Sequence, residues 1–349
     1  MLDVQDALRS LSGALAPAGF EENAAAVAAS LLREFTDDVR VDRLGNVIGC
    51  IRCGIPGAKT VLWDAHLDEI GVMVTSHDGG YATLRGIGGM DARALMAQEV
   101  TLLPPQPGLP PVNAMIACLP PHVQNPADRD ICIPVDKLYL DLGLSPEEAV
   151  AAVPVGTVGC FAPRFTVLGD KLVSGKALDD RAGFVALLRA LELLRGTYLP
   201  VDIVVVGSAQ EETGGAGAAV AAYGIAPDIA FAVDMTFGAA PGVPAHKSFP
   251  LGGGVAVGFG PHMHRFLSHT LFELAKEREI PCKQEIMPGH TGTNGSIFQT
   301  AREGIPTAVL SIPLRYMHTP VETLHLDDLE AAAKLLAAWA LSPKGGASL

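Results

Sequence analysis

Apolar and polar positions alternate with two different periods along this chain, and the changes of period divide it. Leu8 to Phe35 reads as two helices broken at Pro17-Ala18-Gly19. Val39 to Arg52 reads as a hairpin turning at Leu44-Gly45-Asn46. Thr60-Val61-Leu62-Trp63 is a short buried strand, and Gly71 to Thr75 continues in extended form. From residue 76 to 166 the apolar runs are short, and Gly and Pro are frequent, as in Pro104 to Pro111 and Pro120-Pro121. One clear helix start occurs there, Ser145-Pro146-Glu147-Glu148, with Ser as cap and Pro at the first position. The pattern predicts a small β-rich insert over 71–166.

Strands and helices then alternate. Phe184, Leu187, Leu188, Leu191 and Leu194 share one helical face, and Gly196 ends that helix. Val201 to Gly207 is a strand interrupted only by Asp202. Gly217 to Tyr223 reads as helix, Ile229 to Val233 as strand, and Arg265 to Glu277 as helix. Thr307 to Ile312 reads as strand, and Leu326 to Leu341 as a helix capped near Asp327-Asp328. This alternation predicts an α/β fold, with a mostly parallel central sheet flanked by helices. Residues 1–70 and 167–349 would build it, around the insert.

Composition narrows the function. The 349 residues are 49% hydrophobic, enough for a full core. Twenty-five basic against 38 acidic residues give a net charge of −13. That argues against a nucleic-acid or anionic-membrane surface, which needs clustered Lys and Arg. The acidic start Met1-Leu2-Asp3 lacks the basic residues of a signal peptide. Apolar runs fall far short of the ~18 residues of a membrane span. The expected compartment is the cytoplasm. Six cysteines do not make a disulfide framework in a chain of this length. Cys50 and Cys53 sit three apart on an expected strand, so they point to opposite faces rather than forming a redox or zinc pair.

Five residues at five separate places carry the chemistry: His66, Asp179, Glu212, Asp234 and His318. Two imidazoles and three carboxylates are the ligand set of a dinuclear zinc or cobalt hydrolase. His66, Glu212 and Asp234 each sit a few residues beyond an apolar strand. His318 follows the 307–312 strand by a short loop, and Asp179 starts the Phe184 helix. In open α/β sheets ligands bind at the carboxyl ends of strands, so all five converge on one edge. Asp68 is suited to orient the His66 imidazole. The adjacent Asp179 and Asp180 suit a bridging ligand. Glu211-Glu212 would split its roles, one carboxylate on metal and the other taking a proton from water. Gly214-Gly215-Ala216-Gly217 after a strand resembles a phosphate-cradling loop. Its glycine spacing departs from that pattern, and Glu211 and Glu212 would repel phosphate.

With these residues in hand, the chain resembles the TET-type, glutamyl-aminopeptidase-like metallo-aminopeptidases, nearly end to end. The motifs are Ala65 to Gly71, Gly175 to Gly183, Gln210-Glu211-Glu212, Arg315 to Glu322 and, in the insert, Leu138 to Gly143. The resemblance implies that Asp179 bridges two metals. His66 and Asp234 would complete one metal, and Glu212 and His318 the other. It implies Glu211 as general base and Asp68 as the orienter of His66. It also implies that the insert is a dimerisation domain, and that dimers build a homo-oligomer as large as a hollow dodecamer. One departure is Asn294, where the family more usually has Asp. It bears on the charge of the substrate pocket and not on the metal set.

The expected function is therefore a metal-dependent aminopeptidase acting on peptides, with two divalent ions per chain, zinc or cobalt. The alternatives are a dinuclear deacylase or deacetylase of N-acyl amino acids, and a non-catalytic peptide-binding scaffold. Lys176, His290 and Arg315 lie near the motifs and would favour acidic N-terminal residues if they reach the pocket. Lys176 and Arg315 read equally as structural ion-pair partners.

Overall fold

The computed structural model describes residues 2–106, 108–128 and 131–342. Met1 and Pro107, which figure in the sequence reading, lie outside them. Helices α1 (Val4–Gly13) and α2 (Glu22–Leu32) open the chain. The predicted hairpin is β1 (Val39–Val41) and β2 (Val47–Ile51), turning where Gly45 holds a φ of +100° that suits glycine. The next strand, β3 (Thr60–His66), runs three residues past Trp63, so His66 ends the strand instead of following it.

The insert closes on itself. Strands β4 (Gly71–Asp78) and β5 (Tyr81–Ile87) precede the short helix α3 (Ala92–Leu95). Then come β6 (Glu99–Leu103), β7 (Val112–Ala117) and β8 (Tyr139–Asp141). Helix α4 (Pro146–Ala152) and β9 (Val158–Phe161) complete it. The six strands form a closed antiparallel barrel in the order β4-β5-β8-β7-β6-β9, around a separate core that includes Val72, Leu84, Leu102, Ile116 and Leu140. Closure leaves no free sheet edge. The predicted start of α4 is a full capping box of Ser145 and Glu148.

The chain re-enters the large sheet with β10 (Phe165–Leu168) and β11 (Leu172–Gly175). Helix α5 (Leu178–Leu193), β12 (Asp202–Ser208), α6 (Ala216–Ile225) and β13 (Ile229–Phe237) follow. After them come β14 (Val255–Phe259), α7 (Arg265–Glu277), β15 (Cys282–Ile286) and α8 (Gly295–Thr300). The chain ends through β16 (Thr307–Arg315), β17 (Glu322–His325) and α9 (Leu326–Ala340).

The sheet runs β1-β2-β12-β3-β13-β16-β17-β11-β10, with β14 and β15 attached beside β16. Strands β12, β3, β13 and β16 are mutually parallel, and so are β14 and β15. Both flanks are antiparallel, so the sheet is mixed and not mostly parallel. The reason is connection length. β1–β2, β10–β11 and β16–β17 are joined by short links with no crossover helix, which only antiparallel pairing permits. Strand alternation serves both faces. Val61, Trp63 and Ala65 pack with α1, α2, α5, α7 and α9, while Leu62, Val204 and Ala230 pack with α6 and α8. Trp339 of α9 meets Phe231 edge-on at 4.6 Å.

Asp202, the one polar break in its strand, accepts hydrogen bonds from the Cys53 N–H and the Arg52 guanidinium. The Cys50 and Cys53 thiols are free, as are the other four. Among the described residues no helix is long and apolar enough to cross a membrane.

Candidate active site

The parallel centre of the sheet delivers the site. Ser208 of β12 pairs with His66 of β3, so both strands end level, and the loop after β12 carries Glu211 and Glu212 over that end. β13 continues to Phe237, which places Asp234 inside a strand, opposite Ser311 of β16. His318 lies three residues beyond β16, at a φ of +62°. Asp179 and Asp180 form the first turn of α5, joined by a cis peptide.

His66, Asp179, Glu211, Glu212, Asp234 and His318 line one cavity of about 230 Å3. The Asp179 carboxylate stands between the two imidazoles. Its Oδ1 is 3.4 Å from His66 Nε2, and its Oδ2 is 3.6 Å from His318 Nε2. Glu212 Oε1 is 3.2 Å from His318 Nε2, and Glu211 Oε2 is 3.9 Å from His66 Nε2. Donor atoms of Asp179, Glu212 and His318 lie within 4.8 Å of one another, and so do those of His66, Asp180 and Asp234.

Both imidazoles are held by carbonyls. His66 Nδ1 is 3.2 Å from the Asp68 carbonyl, and His318 Nδ1 is 3.0 Å from the Gly89 carbonyl of the barrel segment. A carbonyl only accepts, so each neutral ring carries its hydrogen on Nδ1 and presents a bare Nε2 to the cluster. Asp68 is fully buried, and its two carboxylate oxygens accept the N–H groups of Glu211 and Glu212, each at 3.0 Å. It therefore grips the loop of the carboxylate pair and lies beside the His66 ring, with Oδ1 3.4 Å from Nδ1.

The residues fit a metal pair on two observations. Asp179 Oδ1 is buried without any hydrogen-bond partner. Ligands about 2.0–2.2 Å from a tetrahedral ion stand roughly 3.3–3.6 Å apart, close to the His–carboxylate separations here.

Charge tells the same story. Burial pushes Glu211 up to about 7, with the neighbouring His66 offsetting part of the shift and Glu212 adding to it. Burial raises Asp180, Asp234 and Glu322 well above the usual carboxylate range, and nearby carboxylates add to each shift. Burial alone would lower His66 and His318. Carboxylates outweigh it, Asp179 and Asp68 at His66 and Glu212 at His318, which is held at about 9. The cluster carries more carboxylate than its own cations neutralise, and so favours bound cations.

A profile of the M42 glutamyl aminopeptidase family matches residues 45–335. The chain belongs to this family. It is accordingly a hydrolase of peptide bonds that releases N-terminal residues. The lysyl aminopeptidase of Pyrococcus furiosus is 36% identical over 309 residues, 87% of each chain. An aminopeptidase from the archaeon Desulfurococcus kamchatkensis is 31% identical with a TM-score of 0.88, over 97% of this chain and 94% of its own. The TET1 peptidase of Pyrococcus horikoshii, which can assemble into a tetrahedron or a large octahedral shell, is 31% identical over 97% and 99% of the two chains, with a TM-score of 0.84. The family's chemistry is metal-dependent, in keeping with the two donor clusters.

The other residues singled out in the sequence fall elsewhere. Asn294 does not line the cavity, so it sets no pocket charge directly. It is buried beneath the site, and its Nδ2 donates to Asp64 at 2.8 Å and to Ser208 Oγ at 2.9 Å. Lys176 is buried against Glu69, which also takes Arg181, and this group ties the Asp179 segment to the end of β3. Arg315 donates to the Ala239 carbonyl, and His290 is exposed. None of the three lines the cavity.

Sequence reasoning missed Glu322. It is buried, and its two oxygens accept the His318 N–H at 2.8 Å and the Asp179 N–H at 3.1 Å. Its place four residues after His318, in the same motif, was the only signal. Asp180, likewise given no role of its own, accepts the N–H groups of His66 and Gly183.

Proposed function

We propose that this aminopeptidase works with two divalent ions, zinc or cobalt, which Asp179, standing between the two imidazoles, would help to hold. His66 and Asp234 would complete one ligand set, and Glu212 and His318 the other. When bound, the ions supply Lewis acidity to the scissile carbonyl and to the attacking water. Glu211 takes the proton from that water and returns it to the leaving amine. Asp68 holds Glu211 in place through its backbone N–H. Carboxylates around the cluster receive the free α-amine of the substrate, which enforces removal of one residue at a time. The observation that carries this reading is the buried Asp179 carboxylate, with one oxygen toward each imidazole and no hydrogen bond to Oδ1.

The test is mass spectrometry of one peptide and its N-acetylated twin, with metal-stripped protein reloaded with zinc or cobalt. Stepwise, metal-dependent shortening of the free peptide alone is expected. Loss of the acetyl group would move the chain to the deacylases, and no change in either would favour a peptide-binding scaffold.

The proposal extends to assembly. The barrel is the dimerisation module, and dimers build a larger homo-oligomer. Leu119, Val123 and Ile131 stand exposed on its β7–β8 connection, with a cavity of about 260 Å3 beside them. The TET1 relative's shells support the oligomer, and six free thiols suit the cytoplasm.

A further inference from the structure

The cavity reaches past the metal cluster to another acid. Met235, Thr236, Phe237, Glu285 and Met287 line that side. Glu285 belongs to β15, a strand that carries none of the proposed metal ligands. The Thr236 hydroxyl donates to its Oε1 and holds the carboxylate in one orientation. Its Oε2 is buried, with the Ser311 hydroxyl close to the carboxylate but no cation paired with it among the described residues. A buried carboxylate held by hydroxyls alone still lacks a counter-charge. The mechanism makes no use of this one.

The surrounding charge indicates what would meet it. Asp179, Glu211, Glu212, Asp234 and Glu285 line the cavity, and no Lys or Arg does. Two divalent ions offset the carboxylates of the cluster and leave Glu285 uncompensated. A neighbouring cavity of about 370 Å3 shares Phe237 and Glu285 and holds His246 and Lys247. Among the described residues, neither forms an ion pair with Glu285. An acidic N-terminal side chain would face carboxylate here, whereas a cationic one would find a fixed partner.

We infer that this subsite takes the cationic side chain of an N-terminal lysine or arginine. Its methylenes lie against Met235, Phe237 and Met287, and its charged head meets Glu285. The inference rests on the aminopeptidase reading of the same cavity, and it selects a substrate class that the family description, glutamyl, does not.

The experiment is a kinetic panel of lysyl, arginyl, leucyl and glutamyl p-nitroanilides with metal-loaded, full-length protein. Lysyl and arginyl substrates are expected to exceed leucyl in kcat/KM by at least about tenfold, and glutamyl by more. Glu285→Gln should shrink the lysyl-to-leucyl ratio by about tenfold or more, and Glu285→Lys should raise the glutamyl rate relative to lysyl. Preference for leucyl or glutamyl in the unmodified protein overturns the inference and leaves the aminopeptidase reading standing. So does a lysyl-to-leucyl ratio unmoved by Glu285→Gln. Release of none of the four residues overturns both. The ranking in the unmodified protein decides the matter if the variants do not fold.

Discussion

Asp68 holds two consecutive N–H groups of the loop that carries both Glu211 and Glu212. Asp68→Asn would turn one acceptor into a donor facing an N–H, so the loop must shift. We expect kcat to fall about 10–100-fold, with metal affinity falling on a similar scale, as steady-state rates and metal titration would read. Glu211→Gln should behave differently, keeping its metal while kcat falls about 10²–10⁴-fold. Near-normal turnover in that variant would remove the general-base role. The raised pKa values give a pH prediction for the metal-free protein. Glu211 and His318 titrate at about 7 and about 9, above their ordinary 4.5 and 6.5. Folding therefore favours the protonated form of each, and that stability is lost as pH rises through the folded values. Chelated protein should melt at lower temperature at pH 8.5 than at pH 6, and added zinc should raise melting more at pH 8.5. An equal metal effect at both values would contradict this. The residues that line the cavity's acidic end were legible because each sits in a compact motif of side chains. Glu322 and Asp180 were not, because they act on backbone N–H groups of distant segments, and no side-chain pattern records those.

At the scale of elements, the parallel centre was readable from alternation, since buried parallel strands are continuous apolar runs. The flanks were not. β1, β10, β11 and β17 have three or four residues each, too few to show a pairing partner. The end of β13 was also hidden, because Asp234 looks like a terminus until the strand is seen to run on to Phe237. The segment after β5 supplies another prediction. A Cβ on Gly89 would meet His318 Nδ1 at 2.8 Å, closer than ordinary contact allows. Gly89→Ala should therefore displace the imidazole. Activity should fall, while melting of the chelated protein shifts little, because the position lacks the positive φ that would strain alanine. Unchanged kcat would mean that the ring adapts.

At the scale of the molecule, the closed barrel has its own core, so its exposed apolar residues are not needed to complete it. Replacing both Leu119 and Val123 by Asp should move the protein to a smaller species in size-exclusion chromatography with light scattering, with helix and strand content unchanged. An unaltered mass would place the interface elsewhere. The Gly89 carbonyl ties this module to the sheet domain. That carbonyl comes from the barrel module, yet it fixes the hydrogen of a ring in the reactive cluster. The reactive centre is thus shared across a seam, and each half is chemically unfinished by itself. Any change that loosens the barrel against the sheet domain would free the His318 ring and leave the cluster idle.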